Sequence, residues 1–109
     1  MAKLRRAWVY ILASRKNGTL YVGVTTDLRA RVWQHRAGAC EGFTKEHRVT
    51  TLVCFEEFHE VRGAIAREKV LKGWSRKRKI ALLEAGNPDW DDLAAGWFER
   101  PLDPSLRSG

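Results

Sequence analysis

Cysteines and long apolar segments are both scarce in this chain of 109 residues. The two cysteines, Cys40 and Cys54, form no CxxC pair, which argues against a disulfide framework or a cysteine metal site, and we expect reduced structural thiols. No run of about 18 apolar residues is present, and the short apolar stretch after the basic N-terminus lacks a small-residue cleavage site. We therefore predict a cytoplasmic protein without membrane contact. Internal repeats and low-complexity tracts are also absent, and the length fits one globular domain.

Acidic residues are the minority, and they are unevenly distributed. The formal net charge is +7. Residues 1–83 contain 18 Lys and Arg against 7 Asp and Glu, a balance of +11, whereas residues 84–109 contain 2 against 6, a balance of −4. A strongly basic body suggests a polyanionic partner, most simply nucleic acid, although a basic surface that only maintains solubility has the same composition.

Two short segments rich in aromatic and β-branched residues flank an Asn-Gly pair. We predict strands at residues 7–13 and 19–24, joined by a two-residue turn at Asn17-Gly18, because a type I′ turn needs positive φ at both central positions. In that register Leu12 lies opposite Gly23. The side-chain period of two then places four residues on one face of the hairpin: Tyr10, Leu12, Tyr21 and Gly23. The two phenols either bind a ligand above the glycine or are ordinary strand aromatics packed on a core.

A helix is predicted over residues 28–37, because Thr26-Asp27 provides N-cap side chains and a glycine follows the last helical position. Arg31 and His35 are four residues apart, so they share one face of this helix, near the end of the second strand. A permanent cation and a titratable imidazole are thereby placed beside the tyrosines. For Arg31, a solvated position on a basic helix is the alternative.

A third strand is predicted over residues 51–58, where a continuous apolar run suggests burial on both faces. The helix predicted next, over residues 61–73, carries an apolar stripe formed by Val61, Ala64, Ile65 and Leu71. Glu68 falls on this stripe, and a carboxylate on a core face is costly unless it is paired or bound to a cation. Glu68 is therefore either a metal ligand or one partner of a buried salt bridge, for example with Arg31.

A cluster of cations opens the last predicted helix, residues 76–84, which Ser75 caps. Cations at a helix N-terminus oppose the helix dipole. A nucleic-acid backbone would complement them, and a solvated basic turn is the alternative. The loop before the third strand offers further basic groups. The predicted nucleic-acid-binding residues are Lys45, Arg48, Arg76, Lys77, Arg78 and Lys79.

The last part of the chain, residues 86–109, is acidic and contains aromatic residues. Asn87-Pro88-Asp89 predicts a turn after the last helix. We expect part of this extension to pack on a domain formed by residues 1–85, and we expect its end to be frayed.

The order of these features resembles the GIY-YIG nuclease superfamily over roughly residues 7–85, and in particular its small stand-alone bacterial proteins. The resemblance implies an α/β (α+β) fold, in which a three-stranded antiparallel sheet is flanked by helices in one compact domain. The segments that carry it are Trp8-Val9-Tyr10, Tyr21-Val22-Gly23, the helix of Arg31 and His35, Gly42-Phe43-Thr44-Lys45, Ala66-Arg67-Glu68-Lys69 and Asn87-Pro88-Asp89-Trp90.

The same resemblance implies an endonuclease that hydrolyses a nucleic-acid phosphodiester with one divalent ion, Mg²⁺ or Mn²⁺. DNA is the favoured substrate, although the sequence does not separate DNA from RNA. Glu68 would ligate the metal, and Tyr10 or Tyr21 would position and deprotonate the attacking water. Arg31 would stabilise charge on the phosphoryl oxygens, while His35 would relay a proton or hold phosphate. A small lone domain further suggests structure-directed or weakly sequence-specific cutting, in repair or recombination, or a protein partner that supplies the target.

The chain departs from the family pattern at three places. His47 stands where a tyrosine is expected in the small proteins. Trp8 replaces the first glycine of the first triplet, and Val24 stands where some repair relatives carry a lysine, a role left to Lys45. Two other hypotheses stay open. One is a non-catalytic nucleic-acid-binding module with the same basic surface. The other is a zinc protein that uses three evenly spaced histidines, a spacing that matches no familiar ligand pattern: His35, His47 and His59.

Overall fold

A computed structural model of the chain describes residues 5–39, 42 and 47–98. Its strands are β1 (Ala7–Ala13), β2 (Leu20–Thr25) and β3 (Thr51–Phe58), and its helices are α1 (Leu28–Arg36), α2 (Val61–Lys72) and α3 (Arg76–Gly86). The strands form an antiparallel sheet in the order β2-β1-β3. The predicted fold class is therefore confirmed, and every predicted element lies within two residues of its observed bounds. None of the helices in the described ranges is long and apolar enough to cross a membrane.

The hairpin of β1 and β2 has a longer loop than the predicted two-residue turn. Leu12 lies opposite Tyr21 rather than Gly23, and residues 15–18 form the loop. Asn17 adopts a φ of 60°, a left-handed conformation that asparagine tolerates well. The predicted register was thus wrong by two residues. Because a shift of two preserves the face of every side chain, the tyrosines still lie on one face.

The sheet separates two apolar clusters, because alternate residues of the central strand β1 face opposite sides. One cluster joins β1 to α2 and α3, and it includes Val9, Ile11, Ala64, Leu71 and Leu83. The other joins β1 to α1, and it includes Tyr10, Leu12, Leu28 and Val32. We call this second side, which carries Tyr10, Leu12, Tyr21 and Gly23, the tyrosine face.

Two side chains fix where helices begin. The Asp27 carboxylate accepts a hydrogen bond of 3.1 Å from the Ala30 backbone N–H at the start of α1. The Ser75 hydroxyl accepts one of 3.2 Å from the Arg78 backbone N–H at the start of α3. Such caps contribute about 1 kcal/mol each, so both predicted helix starts have a physical cause.

Residues 87–98 run along the free edge of β3 and contact both sides of the sheet. The Asn87 side-chain amide and the Leu93 backbone N–H each donate to a backbone carbonyl of β3, at 3.1 and 2.8 Å. Trp90 is 5% exposed in the α2 cluster, whereas Ala94 lies in the cluster of the tyrosine face. This segment covers a strand edge that would otherwise present unpaired polar groups. The frayed end, predicted beyond Pro101, lies outside the described residues.

Two residues predicted to be buried are exposed. Phe55 is 40% exposed, because β3 is an edge strand and its apolar run is covered on both faces only at its start. Ile65 is 39% exposed, because α2 packs on the sheet through Ala64 and through the residues four and seven positions after it. That narrower stripe includes Glu68, whose side chain is only 15% exposed.

Candidate active site

Tyr10 and Tyr21 meet above a glycine on the tyrosine face. Tyr10 lies directly opposite Gly23 across the hairpin, and the two phenol rings are 6.3 Å apart between centres. A Cβ atom added at Gly23 would lie 2.5 Å from the Tyr10 hydroxyl oxygen and 3.0 Å from a ring carbon of Tyr21. The glycine therefore provides the space in which the first phenol lies flat against the second strand.

His35 completes this group from α1. Its Nε2 atom lies 3.2 Å from the Tyr10 hydroxyl, within hydrogen-bond distance, and its ring centre is 5.6 Å from that of Tyr21. Tyr10 is 1% exposed and His35 is 5% exposed, whereas Tyr21 is only partly buried. The three aromatic rings thus form a buried hydrogen-bonded pair with one phenol that reaches solvent. We call Tyr10, Tyr21 and His35 the tyrosine–histidine cluster.

Arg31 lies one helical turn before His35 and is partly buried. Burial lowers the pKa of His35 below its usual 6.5, and the positive charge of Arg31 lowers it further. His35 is therefore neutral near pH 7, with one protonated and one unprotonated ring nitrogen.

This pKa shift predicts how stability depends on pH. The unfolded chain binds a proton at His35 more readily than the folded chain, so the free energy of unfolding falls as pH drops through 6.5 toward the lower folded pKa. Between pH values of about 7 and 5, the melting temperature of the protein should fall more steeply than that of His35→Gln. His59→Gln, which removes an exposed histidine, should follow the unmodified protein. Equal slopes for the protein and His35→Gln would contradict this account.

Glu68 approaches from the opposite layer. Its carboxylate forms an ion pair with the ammonium group of Lys72, one turn later on α2, at an N···O distance of 2.8 Å. The salt-bridge partner suggested for Glu68, Arg31, was therefore wrong: the partner is Lys72, because spacing i, i+4 on a helix brings the flexible lysine over the carboxylate. Since α2 packs on the other face of the sheet from the tyrosine–histidine cluster, the structure does not bring Glu68 into that cluster.

The carboxylate of Glu68 is compatible with magnesium. In the described ranges, no three His, Cys, Asp or Glu residues are close enough together to hold a metal ion. Mg²⁺ does not need such a set, because it binds through one or two carboxylates together with water and substrate phosphates. The three histidines of the zinc hypothesis are all described and do not form a metal group, so that hypothesis is wrong.

Two of the four cations at the start of α3 are used within the fold. Arg76 donates to two backbone carbonyls of the hairpin loop, at 2.9 and 2.7 Å. The Arg78 guanidinium lies 4.1 Å from the ring centre of Trp74. The unfavourable position of these cations therefore has a local explanation. Lys77 is exposed and Lys79 partly so, and both remain available to a phosphate backbone.

The remaining predicted contacts have separate outcomes. Arg48 is exposed beside the tyrosine face, and Lys45 lies outside the described residues. Asn87 is 6% exposed, and its amide oxygen and nitrogen both bond the backbone of Asp91. Cys54 is half-buried, and burial raises the pKa of its thiol to about 11, which keeps it unreactive.

Comparison with known proteins gives one consistent result. A family model described as the GIY-YIG catalytic domain matches residues 6–81. A UPF0213 protein of Staphylococcus haemolyticus is 36% identical over 74% of this chain and 98% of its own length. A UPF0213 protein of Haloquadratum walsbyi is 37% identical over 72% of this chain and 88% of its own. The solution NMR structure of a UPF0213 protein from Bacillus halodurans superposes with a TM-score of 0.51 at 29% identity, covering 80% of this chain and 92% of that one.

Proposed function

We propose, because the chain belongs to the GIY-YIG family of endonucleases, that it hydrolyses phosphodiester bonds in DNA with a divalent metal ion. The observation that best supports this proposal is the buried Tyr10–His35 pair beneath the partly exposed Tyr21. Phenols and an imidazole at a glycine-lined surface are groups that orient a water molecule and handle its proton. A purely structural core has no need for three polar aromatic side chains at one point.

Within this site Tyr21 is the phenol that meets the attacking water. Tyr10 is 1% exposed, so in this conformation it does not contact water directly. Instead it shares a hydrogen bond with His35, and both rings pack against Tyr21. We assign Tyr10 and His35 as positioning residues that hold the phenol of Tyr21 in place.

Arg31 and Glu68 supply the charges that phosphoryl transfer requires. Arg31 places a positive charge on the face of α1 that also carries His35. Its guanidinium would stabilise the negative charge that develops on the phosphoryl oxygens. Glu68 is the residue that would hold the divalent ion, Mg²⁺ or Mn²⁺. An ion held by Glu68 would supply a Lewis acid that polarises the scissile phosphate and stabilises the leaving oxygen. Because Glu68 and the tyrosine–histidine cluster lie on different layers, we place the scissile phosphate at the free β2 edge, where both layers are accessible.

The proposed substrate is DNA with branched or unpaired segments, as arises in repair and recombination. The net charge of +7 favours nucleic acid, and the exposed Arg48 and Lys77 would contact the phosphate backbone.

A panel of labelled DNA structures tests this proposal. Single strands, duplexes, flaps, forks and three-way junctions are incubated with the protein and Mg²⁺ or Mn²⁺, with a chelator as control. We expect metal-dependent cleavage within the strand, strongest on the structures that contain unpaired nucleotides. Binding of every structure without cleavage of any would instead favour a non-catalytic nucleic-acid-binding module.

A further inference from the structure

A second feature of the tyrosine face is an aromatic cleft beside Trp8 of β1. Its volume is about 310 Å³, near the lower end of the roughly 300–1,000 Å³ of typical small-molecule sites. It lies between the sheet, the start of α1 and the C-terminal segment. We call it the aromatic cleft. Its lining consists of Trp8, Asp27, Leu28, Arg29, Phe55 and Trp97.

The cleft exists because Tyr10 leans away from it. The register places Phe55 directly opposite Tyr10 on one side and Gly23 on the other. The Tyr10 hydroxyl lies over Gly23, so its ring covers β2 and leaves Phe55 uncovered at 40% exposure. The space that Gly23 gives to Tyr10 thus leaves an apolar surface open on β3, beside the tyrosine–histidine cluster.

The walls of the cleft are suited to a flat aromatic ring. Trp8, Phe55 and Trp97 come from β1, β3 and the C-terminal segment, and aromatic side chains are the stacking partners of nucleobases. Trp97 is anchored there by Arg29, which donates to its backbone carbonyl. An exposed aromatic surface of this kind is otherwise unfavourable for a monomeric protein.

The charges around the cleft favour a base inside it and a phosphate at its rim. Arg29 lines it, and the Arg6 guanidinium lies 5.9 Å from the ring centre of Trp8. The one acidic lining residue, Asp27, is exposed, and its carboxylate caps α1. An acidic group and apolar walls disfavour a phosphate inside the cleft. At the rim, the Arg6 guanidinium is already paired with the Glu57 carboxylate at 2.7 Å, so Arg29 is the cation that favours a phosphate there.

We infer that the aromatic cleft binds an unpaired nucleobase of the DNA strand whose phosphate enters the tyrosine–histidine cluster. Trp8 and Tyr10 are two residues apart on the same face of β1, so their Cα atoms are about 7 Å apart. This distance is close to the spacing of adjacent nucleotides in an extended single strand. A base inside a duplex has no free face for the cleft, so the cleft selects a bulged, flipped or single-stranded nucleotide. This inference rests on the proposed function for its substrate, but binding alone can test it.

The test uses two duplexes that differ in one base. Each carries a one-nucleotide bulge at the same position, an adenine in one and an abasic residue in the other, so that backbone bending is matched. Affinity is measured by fluorescence anisotropy in a chelator, which prevents cleavage. We expect the protein to bind the adenine bulge about tenfold more tightly than the abasic bulge.

Four variants locate this preference. Phe55→Ala should lose it, whereas Phe55→Tyr, which keeps the ring, should retain it. Phe55→Leu keeps most of the apolar volume but not the ring, so it should also lose most of the preference for the adenine bulge. This variant keeps the test valid if Phe55→Ala is unstable. Ile65→Ala removes an apolar side chain of similar exposure, 39%, from the opposite side of the sheet. It should leave the preference for the adenine bulge unchanged.

Equal affinity of the unmodified protein for both bulges would overturn the inference. So would a preference for the adenine bulge that survives in both Phe55→Ala and Phe55→Leu. The nuclease proposal fails separately: if no DNA is cleaved but the base preference depends on Phe55, the cleft binds a base and the catalytic assignment is wrong. If DNA is cleaved without any base preference, only the inference about the cleft is wrong.

Discussion

Glu68→Ala is expected to reduce metal-dependent DNA cleavage by about a thousandfold or more, because it removes the carboxylate proposed to hold the ion and metal stabilisation contributes several kcal/mol to such reactions. DNA affinity in a chelator should change little, since a negative charge is removed and every basic residue is retained. The measurement is the single-turnover cleavage rate at saturating protein, together with affinity for the same DNA.

Lys72→Ala is the matched control, because it breaks the same ion pair from the other side. The pair joins Glu68 and Lys72 at 2.8 Å, and a partly exposed pair of this kind contributes little to stability. If Glu68 acts only as a structural partner of Lys72, both variants should have similar effects. If Glu68 is the metal ligand, Lys72→Ala should retain cleavage and should need no more metal than the unmodified protein, since a competing cation is gone. Equal loss of activity in both variants would contradict the metal assignment.

Gly23→Ala is expected to damage both stability and cleavage. The added methyl group would lie 2.5 Å from the Tyr10 hydroxyl and 2.6 Å from the ring carbon that bears it, so the buried phenol must move. Overpacking of a tight core costs about 1–3 kcal/mol, and here it also breaks the contact of Tyr10 with His35. Chemical denaturation and cleavage assays of the folded fraction separate the two effects.

Gly63→Ala provides the opposite expectation at a second glycine. Gly63 lies inside α2, and a Cβ atom there would meet a carbon of Phe58 at 3.4 Å, an ordinary contact. Alanine is favoured over glycine inside a helix by about 0.5–1 kcal/mol, so this variant should be slightly more stable and fully active. A Gly23→Ala protein as stable and as active as Gly63→Ala would refute the account of how Tyr10 is held.

The sequence predicted the faces of the sheet better than its details. A strand has a period of two, so Tyr10 and Tyr21 remain together even though the hairpin register differs by two residues. The loop length was not predictable from Asn17-Gly18, because Arg76, far along the chain, donates two hydrogen bonds to the backbone of that loop. Local turn chemistry is overridden there by a tertiary contact.

The surroundings of a side chain were also not predictable where they depend on segments that are far apart in the sequence. The apolar run around Phe55 gave no sign that Tyr10 would lean toward Gly23 and leave it exposed. A single signal for the aromatic cleft was present, since Trp8 lies two residues before Tyr10 and must share its face. The contribution of Trp97 was not readable from sequence, because the path of the C-terminal segment around β3 depends on tertiary contacts.

The most direct test of the central claim uses closed circular single-stranded DNA, which has no end for an exonuclease. The protein and Arg31→Ala are compared with Mg²⁺ or Mn²⁺ and with a chelator, and binding of the same circle is measured in parallel. The account predicts metal-dependent linearisation by the protein and its loss in Arg31→Ala, which still binds. Circles that stay intact although the protein binds them, or cutting that is equal in Arg31→Ala, would contradict it.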